Sequence, residues 1–346
     1  MKDAKGVAGK GIEVVASAAQ PVCGSAVWCA TMQMCWDNML ATLCEGRPLV
    51  PLGGANELAQ ALNAGALEKG LLTGGYYAYS GERTMRARGE IEAAVRRITG
   101  EGSELLDRID WSEPSPGMIS LLFYSLLFRK FSFLVPFGVC EDEPWGDEGD
   151  EDDDDVCATY FEAYDPDRRL DQKMRKQVHP LYYVDERHHA VSLQTKEGDE
   201  VVLVRSPSGA TFAEMWDNAV DLARRADRAK MRPLNDDDTF RCPNLSFAVS
   251  KEFLELEGIE FLDATERECK ISQALQTVRL RLDNAGGEAR SEAAIAVSVG
   301  AAMPDFSRMR HFDYDGRFVL FLLDGKVRGH ACPYLALLVD DVRLFQ

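Results

Sequence analysis

Cations are scarce in this sequence. Its 346 residues carry 39 Lys and Arg against 57 Asp and Glu, a formal net charge of −18. Gripping phosphates depends on Lys and Arg, so no nucleic-acid partner is expected. No run of eighteen apolar residues occurs, and no membrane span is expected. The start, MKDAKGVAGKGIEVVASAAQP, has lysines but only a short, weakly apolar stretch, which makes a poor signal peptide. The nine cysteines include no C-x-x-C, and the early group Cys23, Cys29, Cys35 and Cys44 has spacings that no zinc site uses. Buried free thiols in a reducing, cytoplasmic setting are the expectation. There is no H-E-x-x-H, Walker motif, G-x-G-x-x-G or G-x-S-x-G. Of five histidines, His188 and His189 are adjacent, so a strand would point them to opposite faces and away from a shared metal. The reading is therefore of a chain that is not an enzyme and needs no cofactor or metal.

A hydrophobic content of 46% and five Trp supply a sizeable core. Residues 1–21 read as a mobile segment, and residues 22–346 as a single domain. Residues 26–44 form an almost wholly apolar helical pattern, to be buried. ELAQALN at 57–63 is a short helix. Residues 75–80, with Tyr76, Tyr77 and Tyr79, read as a strand, and 90–98 as a helix. Residues 119–137, ISLLFYSLLFRKFSFLVPF, favour a buried strand followed by a bend. The acidic run 141–155 lacks the EF-hand spacing and reads as a disordered, solvated insert. Residues 190–195 and 201–205 form a hairpin. Thr211, with Glu214 three residues on, makes a capping box for the helix that follows. Residues 239–249 read as a strand, and 251–258 as a short helix.

The C-terminal block organises the rest. In 277–282, Val278, Leu280 and Leu282 alternate on one face of a half-buried strand. Residues 318–323 and 334–339 are continuous apolar runs, suited to strands covered on both faces. Between the strand at 277–282 and the run at 318–323, residues 288–303 are small and carry no charge after Glu292. Read with period two, one face carries Ser291, Ala293, Ile295, Val297 and Val299, so a strand is possible where a connection is expected. The alternative is a short helix over 288–297.

This arrangement resembles the serpins. Their hinge reads roughly Glu-x-Gly-Thr-Glu-Ala-Ala-Ala-Ala, and here Glu288, Ala289, Arg290, Ser291, Glu292, Ala293, Ala294, Ile295 and Ala296 occupy it. ELAQALN, the exit Pro136-Phe137 of the aromatic stretch, the strand TFRCPNLSFAV and the segment 258–264 match other serpin motifs in the same order, from about Ala26 onward. The resemblance implies an α+β serpin-like fold: a large, mostly antiparallel central sheet, smaller sheets, N-terminal helices packed on the sheet, and an exposed reactive-centre-like loop. It implies a metastable conformational switch, in which a protease cleaves the loop and the loop inserts into the central sheet. The expected partner is a serine or cysteine protease, and the expected state a monomer. Loop length places the cleaved bond near Met303, Pro304 and Asp305, with Arg308 and Arg310 as later, trypsin-compatible positions. Several features depart from the pattern. Arg290 stands where the hinge glycine would be, although Gly286-Gly287 offer an upstream pivot. The serpin Phe-Ser-Pro-x-Ser-Ile segment has no counterpart, the histidine before the hinge falls near Gln276, and Pro304 sits beside the expected bond. The second reading is a non-inhibitory binding protein on the same scaffold.

Overall fold

A computed structural model describes residues 11–65, 72–112, 120–146, 156–164, 171–227, 231–288, 309–326 and 332–346. The chain opens with β1 (Glu13–Val15), which pairs in parallel with β2 (Ala26–Cys29). Val14, Val15 and Ala16 are buried, so the expected mobility of residues 1–21 does not extend to this strand; residues 1–10 lie outside the described ones. The expected helix over 26–44 is likewise divided. Ala26 to Cys29 pair with a C-terminal strand and are fully in the core, and α1 (Thr31–Leu43) begins only after them. α2 (Glu57–Ala64) is capped by the Asn56 side chain, which accepts from the Ala59 N–H. β3 (Tyr76–Glu82) leads into α3 (Met85–Thr99), capped by Thr84 and closed by Gly100 in the left-handed region at φ 83°. α4 (Glu104–Arg108) is a single turn capped by Ser103.

The aromatic stretch forms β4 (Leu121–Leu127) and β5 (Lys130–Ser132), with the bend between them at Phe128 and Arg129. β6 (Gly138–Pro144) contains the first residues of the acidic run, and Trp145 is buried. The disorder expected of 141–155 therefore does not extend to residues 141–145; residues 147–155 lie outside the described ones. Then follow β7 (Cys157–Glu162), α5 (Asp171–Lys176), β8 (Val178–Asp185), β9 (His188–Gln194), β10 (Asp199–Arg205) and α6 (Phe212–Arg225). At the start of α6, Thr211 Oγ1 accepts from the Glu214 N–H, and Glu214 reaches back to the Ala210 N–H. β11 (Thr239–Pro243) and β12 (Leu245–Glu252) come next. The helix expected over 251–258 is absent: Lys251 and Glu252 pair with the neighbouring strand, Phe253 is buried, and turns run to Gly258 at φ 82°. The chain ends through β13 (Glu260–Leu262), β14 (Glu268–Lys270), β15 (Leu275–Asp283), β16 (Gly286–Glu288), β17 (His311–Asp313), β18 (Phe318–Asp324) and β19 (Leu335–Val339).

Seven strands make one continuous sheet in the order β1-β2-β19-β18-β10-β9-β8. Every residue of β18 and β19 is buried, as their apolar runs require. A four-stranded sheet, β17-β11-β7-β6, packs through Phe161, Phe240 and Phe312. The remaining large sheet is in two pieces: β12-β15-β16-β5 and the pair β3-β4. α1 packs beneath β4, and α3 covers the outer face of β3-β4 through Ile91, Val95, Tyr79 and Tyr124. The nine cysteines are free, and Cys23, Cys157 and Cys332 are exposed rather than buried. His188 is exposed and bonded to Asp185, whereas His189 is fully buried against Tyr183, Phe312 and Tyr314. Burial pushes the His189 pKa down to about 3. Among the described residues, no helix is long and apolar enough to cross a membrane, and no group of three or more His, Cys, Asp or Glu could hold a metal ion.

Candidate functional site: a cleft in the divided sheet

β4 and β15 face each other without a ladder between them; among the described residues no backbone pairing joins the two. Each is paired on its far edge, β4 to β3 and β15 to β12. The near edges border a cleft of about 880 Å³. Its floor is α1, through Met32, Trp36 and Met39, and its roof is the turn between α3 and α4. Sheet alternation sets the walls. On β15, Gln276, Val278 and Leu280 are buried and turn toward α1, while Arg279 turns outward and pairs with Glu104 of α4.

The head of the cleft is closed by β16. A turn at Asn284-Ala285 folds it back antiparallel to β15, with Asp283 opposite Gly286 and Arg281 opposite Glu288. On its other side it pairs antiparallel with β5, with Gly286 opposite Ser132 and Glu288 opposite Lys130. The two glycines admit this close approach. A Cβ on Gly287 would run into the Phe131 ring, and one on Gly286 into the Phe131 carbonyl; Gly286 also has φ 145°. They therefore sit in a strand paired on both sides, where the sequence offered them as an upstream pivot.

Beside the head, Arg129 sits in the bend between β4 and β5. It donates to Asp324 at 2.6 Å and lies 3.6 Å from Asp199, whose other partner is the Tyr334 hydroxyl at 3.0 Å. Burial alone would raise the Asp324 carboxyl. The Thr73 backbone and hydroxyl, together with Arg129, outweigh it and hold the pKa at about 2. For Asp199, burial wins over Arg129 and its pKa is raised.

A polar seam crosses the floor. Gln276 Nε2 donates to the Cys29 carbonyl at 3.1 Å and to Thr31 Oγ1 at 2.7 Å. From the β4 side, Ser125 Oγ donates to the Thr31 carbonyl at 2.5 Å and lies 2.9 Å from Cys35 Sγ. Burial pushes the Cys35 pKa up to about 11, so it stands as a neutral thiol.

Of the expected hinge, the structure describes only the backbone of Glu288. Arg290, Ser291, Glu292, Ala293, Ala294, Ile295 and Ala296 lie outside the described residues, as do Met303, Pro304, Asp305 and Arg308. Arg310 is described and is no cleavage site. It is 6% exposed, and its guanidinium holds Asp238 at 2.7 and 3.2 Å. The Arg310 N–H also donates to Asp238 Oδ1. Burial works against the charged Asp238, but Arg310 and the Asn235 side of the turn keep its pKa low. This pair fixes the chain where it enters β17. Sequence reasoning missed the seam and the Arg129 cluster; the Arg129-Lys130 interruption of an apolar run was their one visible sign.

No protein-family model matches the sequence, and no curated protein does. Solved structures do. A thermophilic serpin in its native state, Tengpin, superposes with a TM-score of 0.51 at 11% identity, covering 94% of this chain and 90% of that one. Serpin48 of the insect Tenebrio molitor covers 92% of each chain at 12% identity and a TM-score of 0.48. Human glycosylated kallistatin covers 92% of this chain and 91% of its own at 12% identity and a TM-score of 0.49.

Proposed function

Because the chain has the serpin fold, we propose that it is a protease inhibitor working by strand insertion, with the segment between Glu288 and Arg310 as bait for a serine or cysteine protease. The observation that carries this reading is the cleft. Among the described residues, the edge of β4 and that of β15 up to Leu280 face it unpaired, and β16 already occupies its head, antiparallel to β15 and β5. Extending β16 in the same register sets Ser291 opposite Val278 and Leu127, and Ala293 opposite Gln276 and Ser125. Both side chains then turn toward α1, where their small size suits the space. Arg290 falls opposite Arg279 on the outer face, within reach of Glu104, so its bulk need not enter the core. Each inserted residue gains main-chain hydrogen bonds on two sides.

A thermal melt tests this. The intact protein is compared with protein nicked within 289–308 by a non-specific protease. Insertion predicts a large rise in melting temperature after nicking, and an unchanged or lower melt overturns it. A second reading, a non-inhibitory binding protein on the same scaffold, draws on Pro304 beside the expected bond, which most serine and cysteine proteases resist; it predicts no rise.

A further inference from the structure

β13 is the middle of three short strands. Pro51 bridges Phe261 antiparallel, the Leu52 N–H donates to the Glu260 carbonyl at 2.7 Å, and β14 pairs along the other edge. Phe261 is buried, so alternation turns its neighbours outward: Val50 lies opposite Leu262, and Leu52 opposite Glu260. Val50, Leu52 and Leu262 are 73%, 52% and 45% exposed. Leu254, also exposed, stands in the adjoining turn, where the Asn56 side chain donates to the Glu255 carbonyl at 2.8 Å. Other large apolar side chains exposed among the described residues, such as Tyr76, Met85, Val184 and Leu222, fall on separate elements. Single exposed aliphatics are ordinary, whereas a group of them on one small sheet marks an interaction surface.

The charges around this face select the partner. Arg47 is held by Glu45, Arg267 by Asp263 and Lys270 by Glu260. Glu255, Glu266 and Glu268 are exposed, and among the described residues no ion pair forms on them. A partner therefore gains by presenting Lys or Arg beside its apolar side chains. Shape narrows the choice further. β13 is paired on both edges and cannot take another strand. Three strands about 4.8 Å apart make a face about 10 Å wide, the diameter of one helix. We propose that Val50, Leu52 and Leu262 form the docking face for a basic amphipathic helix of a partner protein. Its aliphatic stripe lies on these side chains, and its lysines or arginines meet Glu255 and Glu268.

Fluorescence anisotropy of the intact protein tests this with three labelled helical peptides. One has leucines on one face and lysines on the other, one has glutamates in place of the lysines, and one has serines in place of the leucines. The leucine–lysine peptide should bind about tenfold more tightly than either relative, and its affinity should fall as salt rises. Val50→Ser combined with Leu262→Ser should weaken it about tenfold, and Glu268→Lys about threefold. Val184→Ser, at an exposed apolar site on β8, should leave it unchanged. No binding, equal binding of the glutamate peptide, or an affinity that Val50→Ser with Leu262→Ser does not move overturns the proposal. So does a dimer in sedimentation velocity that the same double substitution dissociates, since a second copy would then be the occupant. The measurement uses uncut chain, so it passes or fails independently of the melt after nicking.

Discussion

The same chain builds one sheet without a vacancy and another with a slot. In the seven-stranded sheet, β18 is paired along its whole length to β10 and from Phe318 to Leu322 to β19, and both its faces are buried. In the divided sheet, β4 is as apolar in sequence yet only Tyr124 and Ser125 are buried, and among the described residues one edge has no ladder. Apolar composition therefore does not decide which strand is finished. What differs is the availability of a neighbour: β18 has one on each side, contributed by remote parts of the chain, while among the described residues β4 has only β3, and β15 has β12 but meets β16 only from Arg281 to Asp283. Backbone groups left without partners, and apolar walls around open space, mark where the molecule has stabilisation still to gain.

Truncations should show the largest contrast. Phe321→Ala, in the finished sheet, should cost about 3–5 kcal/mol by urea denaturation. Phe123→Ala, at the cleft wall, should cost about 1–2 kcal/mol, because its side chain already borders open space. Equal losses would mean that the cleft is closed in solution. Asp324 ties the two sheets together, and Asp324→Asn should cost about 2 kcal/mol at neutral pH. Its carboxyl is held at about 2, below its usual 3.8, so its contribution is complete above pH 4 and fades as pH falls toward 2. The gap between the melts of wild type and Asp324→Asn should narrow over that window; a constant gap would remove the ionic tie. Gly287→Val should cost about 1–3 kcal/mol through overlap with Phe131. No loss would mean that β16 is not seated between β5 and β15. Glu104→Ala breaks an exposed pair with Arg279 across the cleft and should change stability by less than about 0.5 kcal/mol.

Elements with a strong local pattern were legible, whichever sheet they joined. The unbroken runs FVLFL and LALLV, the alternation of Val278, Leu280 and Leu282, and the Thr211–Glu214 cap each follow from local pattern, and each stands where expected. Ala26 to Cys29 was misread because nothing local separates it from the helix it precedes. Its strand character comes from pairing with Leu335 to Leu338, at the far end of the chain. The segment after Glu252 was misread for the same reason, since Ser250 to Glu252 are held by Leu275 to Thr277. The cleft could not be read at all, because a missing pairing between two good strands leaves no mark in either.

The order of strands has a further consequence. Residues 309–346 provide β17, β18 and β19, and two of these lie inside the seven-stranded sheet, with β18 between β10 and β19 and β19 between β18 and β2. Arg310 and Asp238 clasp the first residues of this piece to the body of the molecule. Any cut between Glu288 and Arg310 thus severs the chain without dividing the particle. The protein is in effect a long fragment and a short one, woven together and joined by a single covalent thread. The two halves should migrate as one under native conditions and part only in denaturant.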